Sequence, residues 1–253
     1  MTTTIIVAAA KGGIGKSTIS TAIASALSQN SEVALIGTDI TNPCLKTLTA
    51  TQNQTLKVIN GEKIAPITKG KLKIISTSHL LPNENTAIIW KGNRTCQIIK
   101  EFIKKVNWNN PDYLIVDTPA GISDEILSVT ENLPKIDGAV VVTTPQKISM
   151  DNVRKTITML TKMKIRIIGL IENMSGLICP KCKNQITLFP ETNIEQICSK
   201  LKIPFLGRIP FNPEIAKEAD KGQVQTLSVA EPIRMAVEKI KHLATKPKKR
   251  KKS

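Results

Sequence analysis

Short apolar runs and longer stretches of helical period alternate along most of this chain. The runs Thr4–Ala9, Glu32–Ile36, Leu72–Ser76, Tyr113–Val116, Gly138–Thr143, Arg166–Ile171 and Phe205–Ile209 are rich in Ile, Val and Leu. Their length and composition predict strands. Helices are predicted over Ser17–Ser28, Ala87–Val106, Ser149–Met163, Ile194–Leu201 and Glu231–Leu243. In the third of these, Met150, Val153, Ile157, Leu160 and Met163 recur at the spacing of one helix face. The last carries Pro232 in its first turn, where a missing N–H costs nothing. Strand and helix in alternation predict an α/β fold, a mostly parallel β-sheet flanked by helices. Thr51–Gly70 and Asn173–Pro190 fit neither period and read as two long irregular segments, of a kind that often carries function.

Composition narrows this picture. A chain of 253 residues suffices for one large domain, placed at 1–243, and is short for two. Aromatic residues are only 3%, so the core must be aliphatic, as strands buried on both faces require. No stretch reaches the length of a bilayer span, so no membrane insertion is expected. Ile5–Ala10 lacks the length and basic flank of a signal peptide, and five cysteines do not make a disulfide framework. A cytoplasmic protein is expected.

The net charge of +16 is the outlying property. Lys246, Lys248, Lys249, Arg250, Lys251 and Lys252 supply six of these charges, and the remainder is still +10. Residues 244–253 read as a basic disordered tail. Such a tail can bind nucleic acid, act as a nuclear address or simply stay solvated, and a solvated tail is the default. If all six charges neutralised DNA phosphates, log affinity would fall against log salt with a slope of about −5.

Chemistry first appears between the first strand and first helix, at Ala10-Lys11-Gly12-Gly13-Ile14-Gly15-Lys16-Ser17-Thr18. Glycines at 12, 13 and 15 let successive N–H groups point at phosphate oxygens, and the following helix adds its positive end. Lys16 is expected at the β- and γ-phosphates and Ser17 on Mg²⁺. The nucleotide-binding set is Lys11, Gly12, Gly13, Ile14, Gly15, Lys16, Ser17 and Thr18. The loop, with Lys11 as a second lysine, resembles the deviant Walker A (SIMIBI) P-loop NTPases: Mrp/ApbC proteins, nitrogenase iron protein, MinD and ParA. That resemblance implies that Lys11 crosses a dimer interface to the partner's nucleotide.

Two carboxylates follow strands. Asp39 comes after Val33–Ile36 and Asp117 ends Tyr113–Val116. The C-terminal ends of parallel strands face the ligand crevice. Asp117 is therefore expected to hold Mg²⁺ through its water shell with Ser17, and Asp39 to orient the attacking water. Catalysis is assigned to Lys11, Lys16 and Asp39, for a slow, Mg²⁺-dependent ATP hydrolysis that depends on positioning and charge compensation.

Cys179-Pro180-Lys181-Cys182 offers two thiols that can share one metal, with Lys181 and Lys183 favouring thiolates. A cluster or structural zinc takes four ligands, and two pairs on a two-fold axis would supply them. Zinc and a simple redox pair remain alternatives. Cys44, Cys96 and Cys198 are scattered and read as small core residues.

Glu172-Asn173-Met174-Ser175 before the Cys pair resembles the Mrp/ApbC iron–sulfur carriers. So do Trp90-Lys91-Gly92, Asp117-Thr118-Pro119, Gly121–Glu125, Thr144-Pro145-Gln146 and Pro204–Pro210. The likeness reaches to about Leu243. It implies a homodimer holding a [4Fe–4S] cluster on Cys179 and Cys182, passed between cluster scaffold and apo iron–sulfur proteins. It also implies that Asn173 contacts adenine. The alternative is a ParA/MinD-like positioning or DNA-segregation ATPase using the basic surface.

Overall fold

Alternation along the inner strands sends neighbouring side chains into opposite layers. In β1 (Thr3–Ala8), Ile5 and Val7 enter one core while Ile6 and Ala8 enter the other. A computed structural model describes residues 1–9, 11–40, 43–59, 61–80, 92–121, 123–179, 181–182, 184–189, 193–223 and 230–245. After β1 the chain forms α1 (Lys16–Ser28), β2 (Val33–Gly37), a short α2 (Leu45–Leu48), β3 (Lys57–Ile59), β4 (Lys63–Ala65), β5 (Ile67–Lys69) and β6 (Leu72–Ser76). Then come α3 (Gly92–Lys105), β7 (Tyr113–Asp117), α4 (Asp124–Asn132), β8 (Gly138–Thr143) and α5 (Lys147–Lys162). The last part holds β9 (Ile167–Ile178), β10 (Gln185–Ile186), α6 (Ile194–Lys200), β11 (Phe205–Phe211), α7 (Pro213–Asp220) and α8 (Glu231–Ala244).

Nine strands among the described residues make one sheet, in the order β10-β9-β8-β1-β7-β2-β6-β5, with β11 also paired to β9. All the inner pairings are parallel; only β5 on β6 and β10 on β9 run antiparallel. The expected α/β class, a mostly parallel sheet between helices, is what the chain adopts. One core layer gathers residues of α1 and α8, such as Ile23, Leu27, Ile233 and Ile240. The opposite layer gathers residues of α3 to α6, including Ile99, Phe102, Val129, Leu160 and Cys198. Strand order reverses around β1: β2 lies beyond β7 on one side and β8 on the other. Such a reversal opens a crevice at the C-terminal strand ends.

Both segments read as irregular are built. Within Thr51–Gly70, β3 and β4 form a separate hairpin and β5 extends the sheet edge. These strands have three residues each and are mostly exposed or half-buried, so they carry little hydrophobic alternation. Asn173–Pro190 also contains strand, at its start and again at Gln185–Ile186. β9 runs on to Ile178 and turns back into β10, with Ile178 opposite Gln185. Left-handed backbone at Met174 (φ +57°) and a register shift against β11 break the period-two pattern there. The helices α4 and α7 are short and were not expected. Ala87–Lys91, the first quarter of the expected helix Ala87–Val106, and the tail Lys246–Lys252 lie outside the described residues. No described helix is long and apolar enough to cross a membrane.

Candidate functional site

β1 delivers the glycine loop into the crevice. Gly13 and Gly15 have φ of +76° and +79°, conformations that suit glycine. Gly15 is also the N-cap of α1, and a Cβ there would collide with the Asn173 amide. The glycine loop and Asn173 are therefore fitted to each other. The Asn173 Nδ2 donates to the Ile14 carbonyl oxygen at 2.8 Å. Beside it lies a pocket of about 140 Å³ lined by Ile19, Asn173, Met174, Ile209, Pro210 and Phe211, with Gly15 and Thr18 on its loop side. A mostly apolar slot next to phosphate-directed N–H groups suits a planar heterocycle.

Lys16 is buried at the first turn of α1 and its Nζ stands 2.6 Å from Asp117 Oδ1. The Asp117 side chain is only 2% exposed. Burying either charge alone would be costly, and the pair offsets that desolvation. The same ammonium reaches Ser17 Oγ at 3.4 Å. Ser20, one turn further along, brings its Oγ to 2.9 Å from Asp117 Oδ1.

The end of β7 is fastened to β2. Asp117's carbonyl oxygen accepts from the Thr38 N–H at 3.0 Å and from Thr38 Oγ1 at 2.9 Å. Thr118 Oγ1 donates to the Val7 carbonyl, and the Gly121 N–H to that of Ala9. Asp39 follows Thr38 at once and is half-buried, its carbonyl accepting from Thr77 Oγ1. Lys16, Ser17, Asp39 and Asp117 thus meet at one end of the sheet.

Cys44, read from sequence as a plain core residue, belongs to this cluster. It is half-buried, and its thiol is hydrogen-bonded to Ser17. Burial raises its pKa, and the Asp117 and Asp39 carboxylates add to the rise, while Ser17 and Lys16 oppose it. Cys198 fits the core reading: it is buried, and its pKa is pushed up to about 11, first by burial. Burial raises the Cys96 thiol as well.

Lys11 is exposed, and within one chain its Nζ donates to Gln146 Oε1 at 3.3 Å. Gln146 precedes α5, so the strand-end loop after β8 borders the glycine loop. Ser20 is a site neighbour that the sequence reading did not single out, and Gln146 entered it only as part of the Thr144–Gln146 motif. Ser20 had a signal, since it follows Lys16 by four residues and so shares its helix face.

The Cys pair sits apart from the phosphate loop, at the β9–β10 turn. Cys179 is half-buried and Cys182 exposed, and the Cys179 N–H donates to the Asn184 carbonyl at 2.9 Å. The Cys179 thiol is held below its usual pKa by the backbone N–H groups of Cys182 and Lys181, and by the Cys182 side chain. That arrangement favours a thiolate, the form that binds metal. Among the described residues no three His, Cys, Asp or Glu side chains gather at one point, so those described at this turn supply two thiols. Trp90, Lys91, Ile122, Pro180 and Lys183 lie outside the described residues.

β9 joins the two places. Glu172 is buried one residue before Asn173 and accepts from Arg208 Nε on β11 at 3.2 Å. Arg208 also pairs with Glu195 of α6 at 3.4 Å and stacks over the Phe205 ring at 5.1 Å. Burial pushes the Glu172 carboxyl up, against the pull of Arg208.

A central strand, a glycine loop with its lysine at a helix start and an acid ending the next strand define a P-loop NTPase. A family model described as ParA, NUBPL iron-transfer P-loop NTPase, matches residues 1–246, and the chain belongs to this family. Among solved structures it resembles a nucleotide-binding protein from Archaeoglobus fulgidus in complex with ADP. Identity there is 31% and TM-score 0.78, over 89% of this chain and 88% of that one. It also resembles MinD of Pyrococcus horikoshii complexed with Mg-ADP, at 20% identity and TM-score 0.70, over 97% and 98% of the two chains. The MinC:MinD complex of Aquifex aeolicus matches at 22% and TM-score 0.65, over 95% and 96%. These last two show the shared fold. The chain is thus an ATPase of the class that the glycine loop indicated.

Proposed function

We propose that the chain is a cytoplasmic, Mg²⁺-dependent ATPase that carries a [4Fe–4S] cluster between two subunits and delivers it to apo iron–sulfur proteins. The observation that carries this reading is β9, a single strand with Asn173 against the phosphate loop and Cys179 just beyond its end. A change in nucleotide occupancy felt at Asn173 has a short, rigid path to the thiols.

Within this reading ATP lies with its base in the pocket beside Asn173 and its phosphates on the N–H groups of residues 11–18. Lys16 leaves Asp117 for the β- and γ-phosphates. That exchange frees the carboxylate, so Asp117 and Ser17 are the residues that would hold Mg²⁺, which would offset charge on the phosphates. Asp39 orients the attacking water. Lys11 leaves Gln146 and neutralises charge on the partner subunit's nucleotide. ADP in the Archaeoglobus protein and Mg-ADP in MinD support this assignment of nucleotide and metal. The cluster is cargo. Cys179 and Cys182 supply two of its four ligands, so a second copy must supply the others.

Anaerobic reconstitution with iron and sulfide, comparing wild type with Cys179→Ala/Cys182→Ala, tests the proposal. Visible absorption and about four irons per dimer in wild type, lost in the double variant, are expected. Equal iron in both proteins, or none in either, would remove the carrier reading. The net charge of +16 would then favour a DNA-positioning ATPase, whose nucleotide-dependent DNA binding would be salt-sensitive and indifferent to the cysteines.

A further inference from the structure

Ser20 is fully buried on α1, one turn beyond Lys16. Its Oγ lies 2.9 Å from the Lys16 carbonyl oxygen and 2.9 Å from Asp117 Oδ1. A hydroxyl has one proton, so it serves only one of these acceptors at a time. A serine inside a helix is already satisfied by the carbonyl four residues back. The approach to Asp117 is therefore not needed to satisfy Ser20, and its consequence falls on the carboxylate.

Two donor groups lie within reach of Asp117 Oδ1, Lys16 Nζ at 2.6 Å and Ser20 Oγ at 2.9 Å. Phosphate takes the ammonium away, on the reading above. A carboxylate with a 2% exposed side chain then has lost the stronger of its two donors on that oxygen. Ser20 is the donor that stays. Turning its proton from the Lys16 carbonyl to Oδ1 needs only a rotation about the Cβ–Oγ bond. We propose that Ser20 is a positioning residue for the metal step: it pins Oδ1 of Asp117 once Lys16 has moved, leaving the other oxygen for the water shell of Mg²⁺. Ser20 touches neither nucleotide nor metal and acts through Asp117. Partners of this second rank fix the direction in which a ligand's lone pairs point, and their loss costs about 10–100-fold in metal affinity or activity.

The inference rests on Asp117 being the Mg²⁺ residue, and one set of measurements separates the two claims. Mg²⁺ is titrated against steady-state ATPase in wild type, Ser20→Ala, Asp117→Asn and the double variant. Nucleotide affinity is measured in EDTA, and thermal midpoints show that each variant is folded. Ser20→Ala is expected to raise half-saturating Mg²⁺ about tenfold. Its affinity for nucleotide without metal stays within about twofold, because no phosphate contact is lost. Added to Asp117→Asn, it should change the Mg²⁺ requirement no further. A Ser20→Ala protein with wild-type half-saturation, changed only in kcat or thermal midpoint, overturns the proposal while leaving Asp117 in place. An Asp117→Asn protein with wild-type half-saturation removes the metal assignment itself, and the role of Ser20 with it.

Discussion

His79 follows β6 in a short 3-10 turn, is 3% exposed, and brings its Nε2 to 2.8 Å from Thr51 Oγ1. Burial lowers its pKa to about 4, the nearby Lys46 ammonium adds to the fall, and the Ser76 backbone close by opposes it. In the unfolded chain the imidazole titrates near its ordinary value of about 6.5. At pH 7 it is neutral in the folded state and mostly neutral in the unfolded one, so it contributes little pH dependence there. As pH falls below 6.5 the unfolded state takes up a proton that the folded state refuses until about pH 4, so stability drops through that window. The expected loss from this group is about 2 kcal/mol between pH 7 and pH 5. Unfolding free energies from urea titrations at the two pH values should converge by that amount in His79→Gln; an unchanged difference would show that His79 is not the titrating group. The glycine loop, by contrast, was legible residue by residue, because left-handed backbone at Gly13 and Gly15 calls for glycine. Cys44 beside Ser17 was not legible. Its neighbours come from α1, β7 and the end of β2, and no local spacing encodes that meeting.

β1, β2, β6, β7 and β8 could be read directly because they are buried on both faces, and continuous apolar runs say so. The far half of β9 could not. Glu172 and Asn173 are polar yet buried, and they stay in strand because β11 pairs with them and because Arg208 meets the Glu172 carboxylate. Removing the guanidinium tests this joint. Arg208→Leu leaves Glu172 buried without its cation and is expected to cost on the order of 2 kcal/mol at pH 8, since Arg208 is itself half-exposed. The unpaired carboxyl should titrate above its wild-type position. The penalty is then present while Glu172 is ionised and shrinks as pH falls through the raised pKa and the group takes a proton. Chemical denaturation at pH 8 and pH 5 would show the two proteins drawing together at the lower pH; a constant gap would assign the loss to packing against Phe205 instead.

For the whole molecule, the proposed carrier function depends on the number of subunits. One chain brings Lys16, Ser17, Asp39 and Asp117 together, but among the described residues the β9–β10 turn gathers only two thiols, and Lys11 donates to its own Gln146. If the partner's nucleotide is the true destination of Lys11, then Lys11→Ala should cut kcat about 100-fold while a single chain still binds ADP. ATPase rates at several protein concentrations, beside sedimentation with and without nucleotide, would check it. A rate that is independent of concentration in wild type and undiminished in the variant would return Lys11 to its own subunit.

The sequence by itself determined the layered α/β plan, the strand–loop–helix unit for phosphate, the acids at strand ends and the spacing of the Cys pair. Each of these is written in local period, in a backbone conformation that glycine suits, or in residues a few positions apart. Only the tertiary structure decided that Lys16 and Ser20 converge on Asp117, that Cys44 stands at Ser17, and that the polar end of β9 remains in the sheet. Those facts depend on side chains that are distant along the chain and share one desolvated space, where the cost of an unpartnered charge selects the partner.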